Sequence, residues 1–211
     1  LLNIRGFDNP NSPIPNCHLL INKNKNFYLI SELRKVKKII KEKRIFKKQL
    51  IEPKDLANNL IKFKKGKILL DSKSCSLFYQ NLFCKNFKII KNEDPIYLLK
   101  SIKNKKEINF MINSHILDGV ALTKFLYWIK KINKKEITEI NAQDKLENFR
   151  KKNSKYLFPS FNTIAGTGKN AAIVHYKANK KTARKINKND IFLIDSGGQY
   201  KYGTTDVTRT I

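Results

Sequence analysis

The sequence predicts a mixed α/β (α+β) protein built from two consecutive parts, and three features of the chain support this fold class. Short apolar segments alternate with helical patterns between residues 17 and 92, which is typical of layered α/β domains. A long helical pattern follows, in which apolar residues recur every three or four positions. The chain closes on a β-hairpin with two aspartates on neighbouring strands.

The first part, residues 1–92, alternates predicted strands and helices. The strand segments are short runs rich in apolar β-type residues, and Pro53 occupies a position that suits the first turn of a helix. We predict strands at residues 27–30, 44–50, 67–71 and 87–90, and helices at residues 32–43, 53–63 and 74–83.

The boundary to the second part, residues 93–211, is predicted at residues 92–95. Asp94 can cap a helix there, with Pro95 in the first turn. The second part is then expected to contain a long helix at Lys105–Lys131.

Two details of the helices in the second part are predicted as well. Gly119 interrupts the long helix and suggests close packing against a neighbouring element. Asn141 and Asp144 resemble a capping box, so we predict that a second helix begins there and ends near Lys152.

The last seventeen residues form the most informative segment. Two β-type runs, residues 191–194 and 204–211, flank a segment with glycines that suit a turn and a bulge. If the hairpin folds about residues 200 and 201, Asp195 and Asp206 lie opposite each other, with Cβ atoms roughly 4.5–5.5 Å apart. Like charges at that distance repel unless a cation lies between them, and hard divalent ions prefer oxygen ligands. From the spacing alone, a metal site and a hairpin with two solvated aspartates are both open.

Four segments of the chain carry a family resemblance. They read LLNIRGFDNP at residues 1–10, SIKNKKEINFMINSHILDGV at 101–120, PSFNTIAGTGKNAAIVHY at 159–176 and DSGGQYKYGTTDVTRTI at 195–211. In this order they resemble segments of the Xaa-Pro aminopeptidases (aminopeptidase P) of the pita-bread metallopeptidase family. The resemblance implies an incomplete creatinase-like α/β domain followed by the first half of a pita-bread fold.

The resemblance also implies a chemistry. Asp195 is expected to hold one divalent metal ion and Asp206 to bridge two, with Mn²⁺ as the usual metal. The substrate is then a peptide with proline in second position, from which the amino-terminal residue is released. Because proline forms a tertiary amide and has no N–H, a specialised site is the expected solution.

Three further residues receive implied roles. His175 would act beside the substrate by donating a hydrogen bond or moving a proton, although a histidine that follows a strand, here predicted at 171–174, is by itself more often structural. Thr208 lies on the same strand face as Asp206, where its hydroxyl can orient a ligand carboxylate, with ordinary strand filling as the alternative. Arg5 would bind a substrate carboxylate or carbonyl through its forked donors, with a structural salt bridge as the alternative.

The implied metal site is incomplete in this sequence. The family takes one further histidine and two glutamates from the second half of the fold, whereas the sequence ends five residues after Asp206. We therefore expect a truncated fragment that is inactive alone. Two other functions stay open, namely a prolidase-type dipeptidase of the same fold and a catalytically dead remnant that serves as an interaction module.

The formal net charge of +27 ordinarily suggests a nucleic-acid or membrane partner. Here, however, 38 of the 44 basic residues are lysines spread along the chain, as drift towards A/T-rich codons would produce. Nucleic-acid recognition relies more on arginine. We therefore predict no specific nucleic-acid partner, with only weak non-specific binding at low salt.

Cysteine use and hydropathy bear on the compartment. Cys17, Cys75 and Cys84 have no metal-like spacing, so we predict buried thiols in a reducing compartment. The sequence has no signal-peptide pattern and no apolar run near the roughly 18 residues that cross a membrane. We predict a cytoplasmic protein without a membrane partner, and a homodimer at full length. Because residue 1 is leucine, a preceding segment stays open.

Overall fold

The computed structural model describes residues 2–63, 65–132 and 137–211. These residues divide into two compact units. The first lies within Leu1–Asp8 and Ile14–Ile102, and the second within Asn9–Pro13 and Lys103–Ile211.

The first unit is an α/β unit, in agreement with the predicted class. Its strands are β1 (His18–Ile21), β2 (Phe27–Ile30), β3 (Leu50–Ile51), β4 (Gly66–Leu70) and β5 (Phe87–Lys91), and its helices are α1 (Leu33–Lys41), α2 (Leu56–Ile61), α3 (Leu77–Cys84) and α4 (Pro95–Ser101). Strand β2 pairs antiparallel with β1 and parallel with β3. Strands β4 and β5 form a separate parallel pair.

Helix α4 begins where its sequence signals predict. The Asp94 carboxylate accepts from the N–H of Ile96 at 2.9 Å, and Pro95 is the first helical residue. The N–H of Asp94 itself donates to Asp71 Oδ2 at 3.1 Å. Because Asp71 directly follows β4, this bond fastens the start of α4 to the first unit, and the compact units divide at Ile102 and Lys103. The predicted domain limits of 1–92 and 93–211 therefore stay a prediction.

The predicted strand at residues 44–50 is wrong over most of its length. Residues Lys47–Gln49 form a 3₁₀ turn, and only Leu50–Ile51 pairs with a neighbouring strand. The side chain of Gln49 accepts from the N–H of Phe46 at 2.9 Å. This local hydrogen bond offers the backbone an alternative to a ladder, while Ile45 still packs into the core.

The described residues of the second unit combine two α-helices with two small antiparallel sheets. Its elements are α5 (Lys105–Lys131), α6 (Glu139–Lys151), β6 (Tyr156–Pro159), β7 (Ile164–Thr167), β8 (Phe192–Ser196), β9 (Gly198–Tyr200) and β10 (Val207–Thr210). One sheet has the order β10-β8-β7, and the other pairs β6 with β9. The strand β8, which ends in Asp195 and Ser196, is therefore the centre of its sheet.

Capping boxes start both helices of the second unit. Asn104 and Glu107 begin α5, whose predicted span Lys105–Lys131 is confirmed. Helix α6 begins with the box of Thr138 and Asn141, so the predicted box of Asn141 and Asp144 is wrong by one turn. The Thr138 hydroxyl accepts from the N–H of Asn141, three residues on, and the Asn141 side chain accepts from the N–H of Thr138 in return.

The core of the second unit lies between the helices and the β10-β8-β7 sheet. Fully buried apolar residues of α5, α6 and the sheet pack together here, among them Phe125, Ile129, Leu146, Ala165, Phe192 and Ile194. Gly119 lies elsewhere on α5, and a Cβ built there has no atom within 4 Å. The predicted close packing at Gly119 is therefore wrong.

Two other predictions can be compared with the described residues. Cys17, Cys75 and Cys84 are free thiols, but Cys17 and Cys75 are only partly buried and Cys84 is exposed, so the prediction of buried thiols is wrong. Among the helices within residues 2–63, 65–132 and 137–211, none is long and apolar enough to cross a membrane.

Candidate metal centre

The terminal hairpin has a register different from the predicted one. Strands β8 and β10 pair so that Asp195 lies opposite Thr208 and Ser196 opposite Val207. The N–H of Tyr200 donates to the Gly203 carbonyl at 2.8 Å, which places the turn one residue later than expected. A shift of one residue in the turn moves each cross-strand partner by two, and the predicted direct opposition of Asp195 and Asp206 is therefore wrong.

Both aspartates nevertheless lie on one side of the hairpin. Residues Phe192, Ile194 and Ser196 face the core, so Asp195 points to the opposite, open side of β8. Asp206 precedes Thr208 by two residues and is exposed. Asp195 and Asp206 are thus diagonal neighbours on paired strands, and the Cα atoms of such residues lie roughly 7–8 Å apart.

Thr208 makes the contact that its predicted position allows. Its hydroxyl donates to Asp195 Oδ1 at 2.8 Å, which engages one of the two carboxylate oxygens and fixes the orientation of the group. Oxygen donors of this kind suit hard divalent cations.

The carboxylates present form only part of a ligand set. Within residues 2–63, 65–132 and 137–211, no group of three or more His, Cys, Asp and Glu side chains could hold a metal ion. The residues thus fit the aspartate side of a metal centre and supply a hydroxyl that orients one ligand.

Gly197 fixes how closely the two hairpin strands approach. A Cβ at this position would overlap the carbonyl oxygen of Thr205 and the Oγ of Ser160. That carbonyl also accepts from the Ser160 hydroxyl at 2.8 Å, and the Thr205 hydroxyl accepts from the N–H of Gly198 at 2.9 Å. Only glycine allows this close approach, and the segment before Asp206 is held by these contacts.

A buried ion pair lies behind the hairpin. The Arg150 guanidinium donates to both oxygens of Asp118, from Nε at 2.6 Å and from Nη2 at 3.1 Å. The same Nη2 donates to Ser196 Oγ at 3.1 Å, and the Tyr200 hydroxyl donates to Asp118 Oδ1 at 2.8 Å. We call these four residues the Arg150 cluster. It joins α5 and α6 to the residue that follows Asp195.

The Arg150 cluster is well shielded from solvent. The Arg150 and Asp118 side chains are only 1% and 4% exposed. Burial, together with the Asp118 carboxylate, raises the pKa of Tyr200 well above its ordinary value. The phenol therefore stays protonated at neutral pH and remains a hydrogen-bond donor to Asp118.

His175 lies on the connection between β7 and β8, but not at the end of a strand. The predicted strand at 171–174 is wrong, because Gly168–Ala172 forms a 3₁₀ helix. His175 is exposed and has a φ of 54°, a left-handed conformation that is uncommon for a residue with a Cβ. The next residue, Tyr176, is buried.

A second buried carboxylate, Glu139, anchors this connection. Its Oε1 accepts from the Thr167 N–H at 2.8 Å and from Asn170 Nδ2 at 3.0 Å. Its Oε2 accepts from the Tyr176 hydroxyl at 2.8 Å and from the Arg184 N–H at 3.0 Å. We call Glu139 with these four partners the Glu139 cluster.

Arg5 is exposed and belongs to the first unit, so its substrate-binding role stays a prediction. Sequence reasoning missed both buried clusters. One signal was available for the first: Arg150 is one of only six arginines, and it continues the buried helical spacing of Ala142 and Leu146. Glu139 carries no comparable signal, because an acidic residue in the first turn of a helix is ordinary.

Two protein-family models match the chain. Residues 1–107 match the model of the Creatinase/Prolidase N-terminal domain, and residues 109–211 match that of metallopeptidase family M24. The chain belongs to the creatinase/prolidase-type M24 metallopeptidases. The predicted family and the predicted fold class are thereby confirmed.

Individual M24 relatives bear Xaa-Pro aminopeptidase names. The Drosophila melanogaster protein "Xaa-Pro aminopeptidase ApepP" is 46% identical over 138 residues, which are 64% of this chain and 22% of that protein. A "Probable Xaa-Pro aminopeptidase P" of Pyrenophora teres f. teres is 33% identical over 230 residues, covering 100% of this chain and 34% of that protein. The chain therefore spans about a fifth to a third of the length of these M24 proteins.

Solved M24 structures agree with the architecture. An X-prolyl aminopeptidase from Caenorhabditis elegans, described as a cytosolic enzyme with a di-nuclear active site, superposes with a TM-score of 0.80 at 28% identity, covering 100% of this chain and 36% of that one. A prolidase from Pyrococcus furiosus gives a TM-score of 0.72 at 23% identity, with 100% and 59% covered. At that identity, the prolidase likeness concerns the fold.

Proposed function

We propose that the protein containing this chain is a dinuclear-metal Xaa-Pro aminopeptidase, which releases an amino-terminal residue that precedes proline. The observation that carries the proposal is the hairpin, where Asp195, oriented by Thr208, lies on the same side as Asp206 in an M24 chain. The names of the M24 relatives support the proline specificity. Because this chain spans only part of their length, the activity is proposed for the whole protein.

Asp195 and Asp206 are proposed to hold two divalent ions, for which carboxylate oxygens are suitable ligands, with Mn²⁺ as the metal that the family resemblance implies. When bound, such ions polarise a carbonyl and lower the pKa of water. Thr208 keeps the Asp195 carboxylate in one orientation, the supporting role that hydrogen bonds to metal ligands usually have.

Two further residues are proposed to meet the substrate. His175 would donate a hydrogen bond, or move a proton, near the amide that precedes proline, and its exposed side chain is compatible with that role. Arg5 would bind a carboxylate or a main-chain carbonyl of the peptide with its guanidinium.

The cellular setting is proposed from the relatives and from composition. The Caenorhabditis elegans enzyme is described as cytosolic, and we propose the same compartment for this protein. We further propose a homodimer at full length. No specific nucleic-acid partner and no membrane partner are expected.

The test is Asp206→Asn in the full-length protein, with Asp144→Asn as the matched control. Asp144 is an exposed aspartate on α6, so its loss should leave activity unchanged. We expect Asp206→Asn to lower the hydrolysis of a tripeptide Xaa-Pro-Xaa by more than about 100-fold and to lower bound metal in parallel. Unchanged activity and metal content in Asp206→Asn would contradict the proposal.

The substrate length separates this function from that of a dipeptidase. An aminopeptidase cleaves peptides of three or more residues that begin Xaa-Pro, whereas a prolidase-type enzyme requires the dipeptide. Hydrolysis of Xaa-Pro alone, with no cleavage of longer peptides, would assign the protein to the dipeptidases.

A further inference from the structure

In the Glu139 cluster, one carboxylate accepts hydrogen bonds from several separate points of the connection between β7 and β8, which carries His175. Thr167 ends β7, Asn170 lies in the 3₁₀ helix, and Tyr176 and Arg184 lie farther along the chain towards β8. Each donates a hydrogen bond of 2.8–3.0 Å to Glu139. The beginning, the middle and the later part of the His175 connection are thus held by the same side chain.

Glu139 is placed to serve as such an anchor. It is the first residue of α6, and its side chain is fully buried. The helix N-terminus favours a negative charge, and four donors satisfy both carboxylate oxygens. A carboxylate with these partners is a rigid acceptor, because moving any donor away would leave buried charge without compensation.

The link from this anchor to His175 runs through its neighbour. Tyr176 is 7% exposed, whereas His175 is exposed with a φ of 54°. A left-handed residue with a Cβ persists where the surrounding structure determines it. A turn bond from the Tyr176 N–H to the Ile173 carbonyl, 3.2 Å, closes around His175. The Tyr176 hydroxyl, bonded to Glu139, anchors the end of that turn, and burial raises the pKa of Tyr176, which keeps it a donor.

We propose that Glu139 is a positioning residue for His175, which it holds through the hydroxyl of Tyr176 in the conformation that meets the substrate. This inference rests on the proposed function for its kinetic readout, since it is His175 that would contact the peptide. A group held away from its working geometry by about 1 Å can cost up to roughly 100-fold in rate.

The principal variant is Tyr176→Phe in the full-length protein, because it removes only the hydroxyl and keeps the buried ring. Its matched control is Tyr156→Phe. The Tyr156 hydroxyl also donates to a glutamate, Glu147, at 2.7 Å in the same unit. We expect Tyr176→Phe to lower kcat/KM for an Xaa-Pro tripeptide by about tenfold or more, with bound metal unchanged. Tyr156→Phe should stay within about twofold of the parent.

A double-mutant cycle separates positioning from general stability. If Tyr176 acts through His175, adding Tyr176→Phe to His175→Ala should change kcat/KM by less than about twofold. An equal loss in the presence and in the absence of His175 would overturn the proposal, because the effect would then be structural. Glu139→Gln should behave as Tyr176→Phe does and provides the second variant.

A spectroscopic readout keeps the inference testable without activity. The imidazole Cε1 signal of His175, assigned by its loss in His175→Ala, should shift or broaden in Tyr176→Phe and stay unchanged in Tyr156→Phe. If the parent protein fails to cleave Xaa-Pro peptides but this shift occurs, the proposed function fails and the positioning role stands. An active parent with an unmoved His175 signal in Tyr176→Phe refutes the positioning role.

Discussion

Two carboxylates are buried among the described residues of the second unit, Asp118 and Glu139, and they are neutralised in different ways. Asp118 faces a guanidinium, that of Arg150, in a two-pronged ion pair. Glu139 accepts hydrogen bonds from neutral groups, two backbone N–H groups, an amide and a phenol. As whole residues both are almost fully buried, at 2% and 0% exposure, so the difference lies in the partner.

The two solutions suit the elements that they hold. A guanidinium reaches three acceptors at once, and Arg150 uses them to join two helices to the strand that bears Asp195. Every residue except proline carries a backbone N–H donor. Glu139 can therefore bind an irregular connection that forms no strand pairing of its own. Ionic pairing thus fixes regular elements here, and a shell of neutral donors fixes a loop.

The largest effect that tests this comparison is expected from Arg150→Met. It leaves the Asp118 carboxylate buried without a cation, so the free energy of unfolding should fall by about 3–5 kcal/mol. Urea denaturation measures the change. Arg34→Met is the matched control, since that guanidinium is largely exposed beside Glu32, and it should change stability by less than about 0.5 kcal/mol.

A second substitution sharpens the Arg150 result. Replacing the whole pair, as Asp118→Leu with Arg150→Met, should recover much of the loss, because no unpaired charge then remains. A single Arg150→Met variant as stable as the parent would show that the ion pair does not hold these elements together.

An intermediate effect is expected for Glu139→Gln. The side chain keeps its size, but one oxygen that accepts hydrogen bonds is replaced by an NH₂ group, which then faces other donors. The expected loss in unfolding free energy is about 2–3 kcal/mol. Glu93→Gln is the control, because Glu93 forms a surface ion pair with Lys73. In Glu139→Gln, amide hydrogen exchange should become faster mainly in the 168–185 segment. Equally faster exchange over the whole second unit would contradict the distinction between the two clusters.

The smallest effect is expected for Tyr200→Phe, about 1.5 kcal/mol at neutral pH, since one hydrogen bond to a charged acceptor is lost. The pKa of Tyr200 is raised from its ordinary 10.0, so the unfolded protein releases this proton first as the pH rises. The contribution of Tyr200 is complete below about pH 10 and declines above it. Stability curves of the parent and of Tyr200→Phe should therefore converge above pH 10, and parallel curves would contradict the assigned pKa direction.

Much of the fold could be predicted because its signals are local. The span of α5 follows from apolar periodicity over many turns, and Asp94 with Pro95 marks the start of α4. Local signals also misled. The true cap of α6 is Thr138, one turn before the predicted box, and Gln49 turns the 44–50 segment away from the strand that its composition favours.

The candidate site shows where such reasoning stops. The identities of Asp195, Asp206 and Thr208 were accessible from the sequence, but their register was not. It depends on the turn at Tyr200–Gly203 and on the pairing of β9 with β6, which are contacts between distant segments. The hydrogen bonds of both buried clusters likewise join residues that lie 28–82 positions apart, beyond the reach of any periodic pattern.

Gly197 has a consequence for how this chain can change over generations. The chain contains 38 lysines but only eight glycines. Two of them stand side by side at 197 and 198, where a Cβ would collide with the Thr205 carbonyl or with the rings of Tyr156 and Tyr200. Substitutions on the surface usually change stability little, whereas at this pair even a single added Cβ meets neighbouring atoms at 2.0–2.8 Å.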